Sequence, residues 1–285
     1  MRLFILTTDK DRSLPSILSA ADKFLLTTTV LQFHKLSLVE GKVFFQGQEL
    51  HIRKKDKILI RWPWDAEDTK IEYNFFVTYF TDRYEKQIFL DGKCLRDFTP
   101  FYEDKLFQAG VFTKMHILTP KTWYFSTLTP SALKILPKSI VVKKRISSRG
   151  KSNYLLRREE LSMWSNLNDL SDYIIQEYIP LDHDLRLLFY KGKLLGVIDR
   201  TTHVRKSNLL TVKDGKPFVL KGKKIITDCL KYCRYLGEDF VGCDVLLGRD
   251  GNYYVIEVNL SPQFESFEKK MGFSVGEVLI RDIQS

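Results

Sequence analysis

Four cysteines in 285 residues are too few to staple a small secreted fold. Cys94, Cys229, Cys233 and Cys243 lack zinc-ligand spacing, and Cys229 and Cys233 are spaced as neighbours on one helix face, so all are expected as reduced thiols. No run of eighteen apolar residues occurs, which argues against a membrane span. The opening MRLFILTTDKDR has too short an apolar stretch for a secretory signal and is expected as a first buried strand, which points to a cytoplasmic protein. There is no GxSxG and no Cys–His arrangement, and His34, His51, His116, His183 and His203 are scattered, so no covalent nucleophile is indicated. No internal repeat is visible.

What is present is an ordinary globular composition, 44% hydrophobic, in a chain long enough for two domains or one composite one. Lys and Arg outnumber Asp and Glu by 45 to 35, a net charge of +10 that favours anionic company: nucleic acid, nucleotide phosphates, or an acidic peptide or metabolite. A nucleic-acid surface would show basic residues striped with aromatics. Here the charge is dispersed apart from HIRKKDK, VVKKRISSRGK and KGKK, so nucleic acid is a disfavoured partner.

The chain alternates strand and helix signals, which predicts an α/β (α+β) fold. RLFIL is a strand, followed by a helix capped by Ser13 with Pro15 in its first turn. TVLQFH, KVFFQGQELHI (a hairpin about Gln46 and Gly47), KILIRW and QIFLDGK add strands around a helix over 66–80, and this block ends near Asp97. A second unit starts at Pro100, with a short helix stopped by Gly110 and strands at TPKTWYF, SIVVKK and SNYLL, the last two joined by a basic loop holding Gly150. A helical stretch over 158–169, the strand DYIIQEYIP, a hairpin about Lys191 and Gly192, and an amphipathic helix over 221–236 ending at Gly237 complete it.

The stretch FVGCDVLLGRDGNYYVIEVNLSP, residues 240–262, holds two acids inside runs that otherwise read as buried strand. Its RDGN places Asp250 and Gly251 where a two-residue type I′ loop takes residues tolerant of positive φ. With Arg249 opposite Asn252, Leu247 faces Tyr254, Val245 faces Ile256 and Asp244 faces Glu257. Alternation puts Asn259 on the face of Glu257, opposite the open space at Gly242. Cys243, Val245, Leu247, Ile256 and Val258 then form the core face. Directly opposed carboxylates, with Cβ atoms ~5 Å apart, repel and call for a cation between them. Two carboxylates and an amide oxygen are hard ligands suited to Mg²⁺, with water or phosphate completing the shell. A single acid would be taken as facing solvent or a lysine; the pair with Asn259 favours the metal.

In order along the chain, YIIQEYIP, HDLRLLFYKGKLLGVIDR and GCDVLLGRDGNYYVIEVNLSP resemble the hallmark segments of the ATP-grasp superfamily, and within it the RimK-type amino-acid ligases. The resemblance covers residues ~100 to 270. It implies an ATP-grasp domain over 99–285, with subdomains about 99–176 and 177–285, behind an N-terminal α/β pre-ATP-grasp domain over 1–98. It implies ATP with Mg²⁺, or Mn²⁺ in its stead, held by Asp244, Glu257 and Asn259. Lys105 and Lys143 match the two nucleotide lysines, and preferring Lys143 to Lys144 rests on the resemblance alone. Gln176, Glu177, Tyr178 and Ile179 look like the segment lining the adenine pocket, and Asp184 like the residue near the ribose. Arg186 and Arg200 would contact the transferring phosphate or the substrate carboxylate; without the family context Arg186 equally suits surface pairing with Asp184. VRKSNLL resembles an RSN segment, adding Lys206, Ser207 and Asn208. The basic loop departs from the family in having one glycine, Gly150, between Arg149 and Lys151, so side-chain charge would replace amide contacts to phosphate there.

The implied chemistry is ATP-dependent joining of a carboxylate to an amine through an acylphosphate, with an amino acid, peptide or protein end as substrate. One alternative is a ligase of the same fold that cross-links a ribosomal precursor peptide. Others are a basic nucleic-acid-binding protein and a silent ATP-grasp module, the latter disfavoured by the acid pair. Whether the chain forms a homo-oligomer is open.

Overall fold

The computed structural model describes residues 1–61, 71–89, 100–147, 152–201 and 215–283. The expected site residues Lys206, Ser207 and Asn208, and the loop glycine Gly150, lie outside the described residues.

The apolar run at the start forms β1 (Arg2–Thr7), buried on both faces as a central parallel strand must be. It is followed by α1 (Leu14–Lys23) and β2 (Thr27–Gln32). A small antiparallel sheet follows, made of β3 (Leu36–Val39), β4 (Lys42–Phe45) and β5 (Gln48–Glu49). Its β4–β5 turn falls at Gln46 and Gly47 as expected, both at positive φ (52° and 79°). β6 (Lys57–Ile60), α2 (Ile71–Arg83) and β7 (Ile88–Phe89) complete a parallel sheet of order β2-β1-β6-β7. Ser13 does not cap α1 with its side chain. Its Oγ instead accepts a hydrogen bond from Phe264 N–H at 2.8 Å, a tertiary tie in place of a local one.

A turn of 3₁₀ helix (Pro100–Glu103) leads into α3 (Lys105–Lys114). Gly110 does not stop α3: with no positive φ it sits inside the helix, which runs one further turn. A second, antiparallel sheet has order β10-β9-β11-β8, from β8 (Thr122–Trp123), β9 (Ser139–Lys144), β10 (Asn153–Arg157) and β11 (Tyr173–Glu177). The short helices α4 (Pro130–Ile135) and α5 (Leu161–Ser165) belong to this lobe, whose core is Leu136, Ile140, Val142, Leu161 and Ile175. The stretch expected as one helix over 158–169 is a 3₁₀ turn (Arg158–Glu160) running into α5, which ends at Ser165.

The third sheet carries the site. Its order is β14-β13-β12-β15-β16, from β12 (Leu181–Tyr190), β13 (Lys193–Asp199), β14 (Lys216–Pro217), β15 (Phe240–Gly248) and β16 (Tyr253–Asn259). One face packs Leu185, Leu187, Cys243 and Val245 against α3 and against α6 (Lys224–Leu236), which ends on Gly237 at φ 66°. Cys229, Cys233 and Cys243 are buried there as free thiols. On the opposite face Leu188, Tyr190 and Phe240 join Leu3, Ile5 and Ile17, together with α7 (Glu265–Met271) and α8 (Val275–Arg281). The first and last helices therefore share a core with the site-bearing sheet.

Candidate active site

Strand alternation brings Asp184 and Arg186 of β12 and Asp244 of β15 onto one face, and Arg186 stands directly opposite Asp244. Glu257 of β16 flanks Asp244 on the other side and Asn259 stands opposite Gly242, the pairing expected from the sequence. The tip differs. Gly248 N–H bonds Asn252 O at 2.9 Å around a three-residue loop, Arg249 to Gly251, closed by Gly251 at φ 78°. This shifts the outer pairs by one, so that Leu247 faces Tyr253 and Val245 faces Val255, and a bulge between Asp244 and Val245 restores the inner register. Two one-residue errors cancel at the acids. The buried core residue is accordingly Val255 (1% exposed), while Ile256 is only half-buried. Nor is Gly242 open: a Cβ there would lie 2.6 Å from an Arg186 nitrogen and 3.0 Å from Pro262.

Among the described residues, four cations converge on this face. Arg186 pairs with Asp244, Nε to Oδ1 at 2.5 Å and a terminal nitrogen to Oδ2 at 3.1 Å, so its partner is not Asp184. Arg200 bridges Asp184 Oδ1 at 2.5 Å and Asp244 Oδ1 at 3.0 Å. Burial works against the Arg200 charge, but Asp244 and Asp184 outweigh it and raise its basicity. Lys105, at the first turn of α3, donates from Nζ to Ser147 O at 3.0 Å and lies 3.4 Å from Glu257 Oε1. Lys143 is held among Glu257, Lys105, Asp184 and Asp244, and burial pulls its ammonium down to about 8 against the attraction of Glu257. Of the two adjacent lysines, Lys143 is thus the one whose charge is coupled to these acids.

The inter-lobe segment runs alongside. Gln176 (2% exposed) donates from Nε2 to Thr122 Oγ1 at 3.0 Å. Glu177 is tied twice to Lys121, its N–H to Lys121 O at 2.9 Å and its Oε1 accepting Lys121 N–H at 2.8 Å. Tyr178 N–H goes to Ser139 O at 3.3 Å, and the Ile179 side chain abuts Gly248. The backbone N–H groups of Glu177 and Tyr178 are therefore both engaged within the protein.

Sequence reasoning did not single out Glu103 or Gln108. Glu103 Oε1 accepts Leu260 N–H at 2.7 Å, and burial pushes its carboxyl up to about 8, with Glu257 adding to the rise. Gln108 is fully buried against Val258. Their partners lie about 150 residues away, beyond any local signal.

Among the described residues no group of three or more His, Cys, Asp or Glu is gathered as a self-sufficient metal cage. Asp244, Glu257 and Asn259 fit a hard cation completed by phosphate and water, because two opposed carboxylates and an amide share one face. Asn259 donates from Nδ2 to Gly242 O at 3.4 Å, so that Oδ1 would be its ligand atom for such an ion. No helix among the described residues is long and apolar enough to cross a membrane.

Comparison with known proteins bears on family and fold. The chain is 29% identical over 153 residues to beta-citrylglutamate synthase B of Danio rerio, covering 49% of this chain and 36% of that protein. It is 30% identical over 149 residues to N-acetylaspartylglutamate synthase A of Homo sapiens, covering 49% and 37%. The match thus spans well under half the length of these relatives. A longer match, 27% over 195 residues and 64% and 67% of the two chains, is to alpha-aminoadipate–LysW ligase LysX of Sulfurisphaera tokodaii. In fold, the chain superposes on the ATP-grasp ligase PsnB complexed with a minimal precursor, with TM-score 0.75 at 15% identity, covering 100% and 98%. It also superposes on the macrocyclase MdnC of Microcystis aeruginosa, with TM-score 0.72 at 17% identity, covering 99% and 100%. The model of the RimK-like ATP-grasp domain matches residues 103–283, more than half of the chain, and the protein belongs to that family.

Proposed function

We propose that the protein is an ATP-dependent ligase that joins a carboxylate to an amine and releases ADP and phosphate. The observation that carries this is the single sheet face on which Asp244 and Glu257 stand opposed while Arg186, Arg200, Lys105 and Lys143 converge on them. Such a face suits phosphoryl transfer, where charge spreads over the moving group and catalysis is mostly positioning and electrostatic stabilisation. Asp244, Glu257 and Asn259 would hold Mg²⁺, which would supply positive charge against the phosphates.

A substrate carboxylate oxygen attacks the γ-phosphorus and the bond to ADP breaks. The amine then attacks the acyl carbon, phosphate leaves with the C–O electrons, and the nitrogen loses a proton. Lys105 and Lys143 are suited to phosphate oxygens as point charges. Arg186 and Arg200 are suited to the planar substrate carboxylate or the moving phosphoryl group, through forked donors. Gln176 to Ile179 would flank the base and Asp184 the ribose. The matched relatives are named as a beta-citrylglutamate synthase, an N-acetylaspartylglutamate synthase and an alpha-aminoadipate–LysW ligase, which supports an amino acid, peptide or protein end as the substrate class. A nucleic-acid-binding role would make no use of opposed, partly buried carboxylates.

Incubation with ATP, Mg²⁺ and pools of amino acids and peptides tests this, read by ADP release and by mass. Addition of a residue marks a chain-extending ligase, whereas loss of water within one peptide marks the cross-linking alternative. Glu257→Gln is expected to lower turnover by about a hundredfold or more. AMP in place of ADP, or full turnover by Glu257→Gln, would overturn the proposal.

A further inference from the structure

β16 is an edge strand of its sheet. An edge strand offers alternate N–H and C=O groups to nothing in its own sheet and is held less firmly than a central one. Glu257 and Asn259 nonetheless sit here, where a metal-binding face needs its ligands fixed to within about half an ångström. The outer edge is occupied by groups from residues 103–118. Gln108 donates from Nε2 to Val258 O at 2.8 Å and accepts Val258 N–H on Oε1 at 2.9 Å, so one side-chain amide serves as a neighbouring strand would. The same Nε2 donates to Tyr102 O at 2.6 Å, anchoring the amide to the turn before α3. Glu103 takes Leu260 N–H, and Leu118 O takes Val255 N–H at 2.9 Å.

Val258 lies between Glu257 and Asn259, its side chain in the core and theirs on the opposite face. Fixing both of its backbone groups fixes the height of the flanking side chains over Asp244. We infer that Gln108 is a positioning residue for the metal-binding face, holding Glu257 and Asn259 in place through the backbone of Val258, with Glu103 doing the same one step further along. This rests on the ligase reading for what the face binds. It also gives α3 two tasks from one turn: Lys105 reaches Glu257 directly, and Gln108, nearly one turn on, holds the strand that carries it.

Mn²⁺ titration in the presence of ADP, followed by electron paramagnetic resonance, separates this from a merely structural role. Gln108→Met keeps the volume and removes the three hydrogen bonds. It is expected to weaken Mn²⁺ binding about tenfold or more, as loss of an outer-sphere partner does, while ADP affinity without metal is unchanged. Gln108→Glu keeps the acceptor for Val258 N–H and is expected to fall between wild type and Gln108→Met, which covers the case in which Gln108→Met does not fold. If wild type binds Mn²⁺ and either folded variant binds it equally well, the inference fails and the ligase reading stands, whatever happens to thermal stability. If wild type itself binds no Mn²⁺ with ADP, both fail.

Discussion

At the scale of single residues, the site is a set of charges whose values depend on burial as much as on neighbours. Glu103 is the clearest case. Its carboxyl ordinarily titrates at 4.5 and is pushed up to about 8 by burial, despite the Leu260 N–H it accepts. The folded protein therefore holds a proton that the unfolded chain has released. Stability linked to Glu103 is full below its unfolded value and is lost as pH rises toward about 8. Glu103→Gln mimics the protonated form and keeps an acceptor. Urea unfolding in the presence of a chelator, compared at about pH 5 and about pH 8, should show wild type losing a few kcal/mol relative to Glu103→Gln. A difference that stays flat or runs the other way would show that Glu103 is not buried protonated. Asp244 and Glu257 were legible in the sequence because strand alternation is local. Glu103 was not, since nothing near it in the chain announces the amide it meets.

At the scale of elements, the informative unit is the segment just after β16. Arg61, at the carboxyl end of β6, donates to Asp11 Oδ2 at 3.1 Å and to Pro262 O at 3.1 Å. Asp11 also accepts from Thr7 Oγ1 and Ser13 N–H, and Gln263 meets Ser13 in turn. Burial raises the Asp11 carboxyl, but Arg61 and these hydrogen bonds outweigh it and hold it below its usual range. The loop that follows Asn259 is thus tied to the ends of β1 and β6. Arg61→Met would leave Asp11 buried without its cation, at a cost of about 3–5 kcal/mol. Asp11→Asn in the same chain should recover part of that, and a double-mutant cycle by denaturant unfolding measures the coupling. Additive effects would remove the pair from this role. Element type was legible here from apolar runs and turn residues, as at Gln46–Gly47 and Lys191–Gly192, where hairpin turns were expected and occur, with positive φ. Element limits were less so. Gly110 was read as a stop, yet packing carries α3 through it, and Ser13 was read as a cap, yet its hydroxyl serves Phe264.

At the scale of the molecule, α1 and α8 lie in one core with β1 and with the sheet that bears the site. Gly276 of α8 comes so close to α1 that a Cβ there would meet Ser16 O at 2.6 Å, which binds the two helices without an intervening side chain. Leu279 is fully buried in this core, and Leu279→Ala should cost about 2–5 kcal/mol. Because the core is shared, amide exchange in β1 should accelerate along with exchange in α8. Protection of β1 left unchanged would mean that the two ends of the chain are stabilised separately. The ATP-grasp portion was legible from its ordered motifs, whereas this joint core was not, because it is built from residues 3–26, Leu59 and residues 188–283, which no local pattern connects.

That arrangement bears on how the protein is made. Synthesis releases β1 and α1 well before α8, with Ile17, Ala20 and Ala21 presenting an apolar stripe whose cover is Val275, Leu279 and Ile280, some 250 residues later. Across that interval α1 waits for α8, so a ribosome stalled before α8 would display a sticky, half-built unit to the chaperones of the cell.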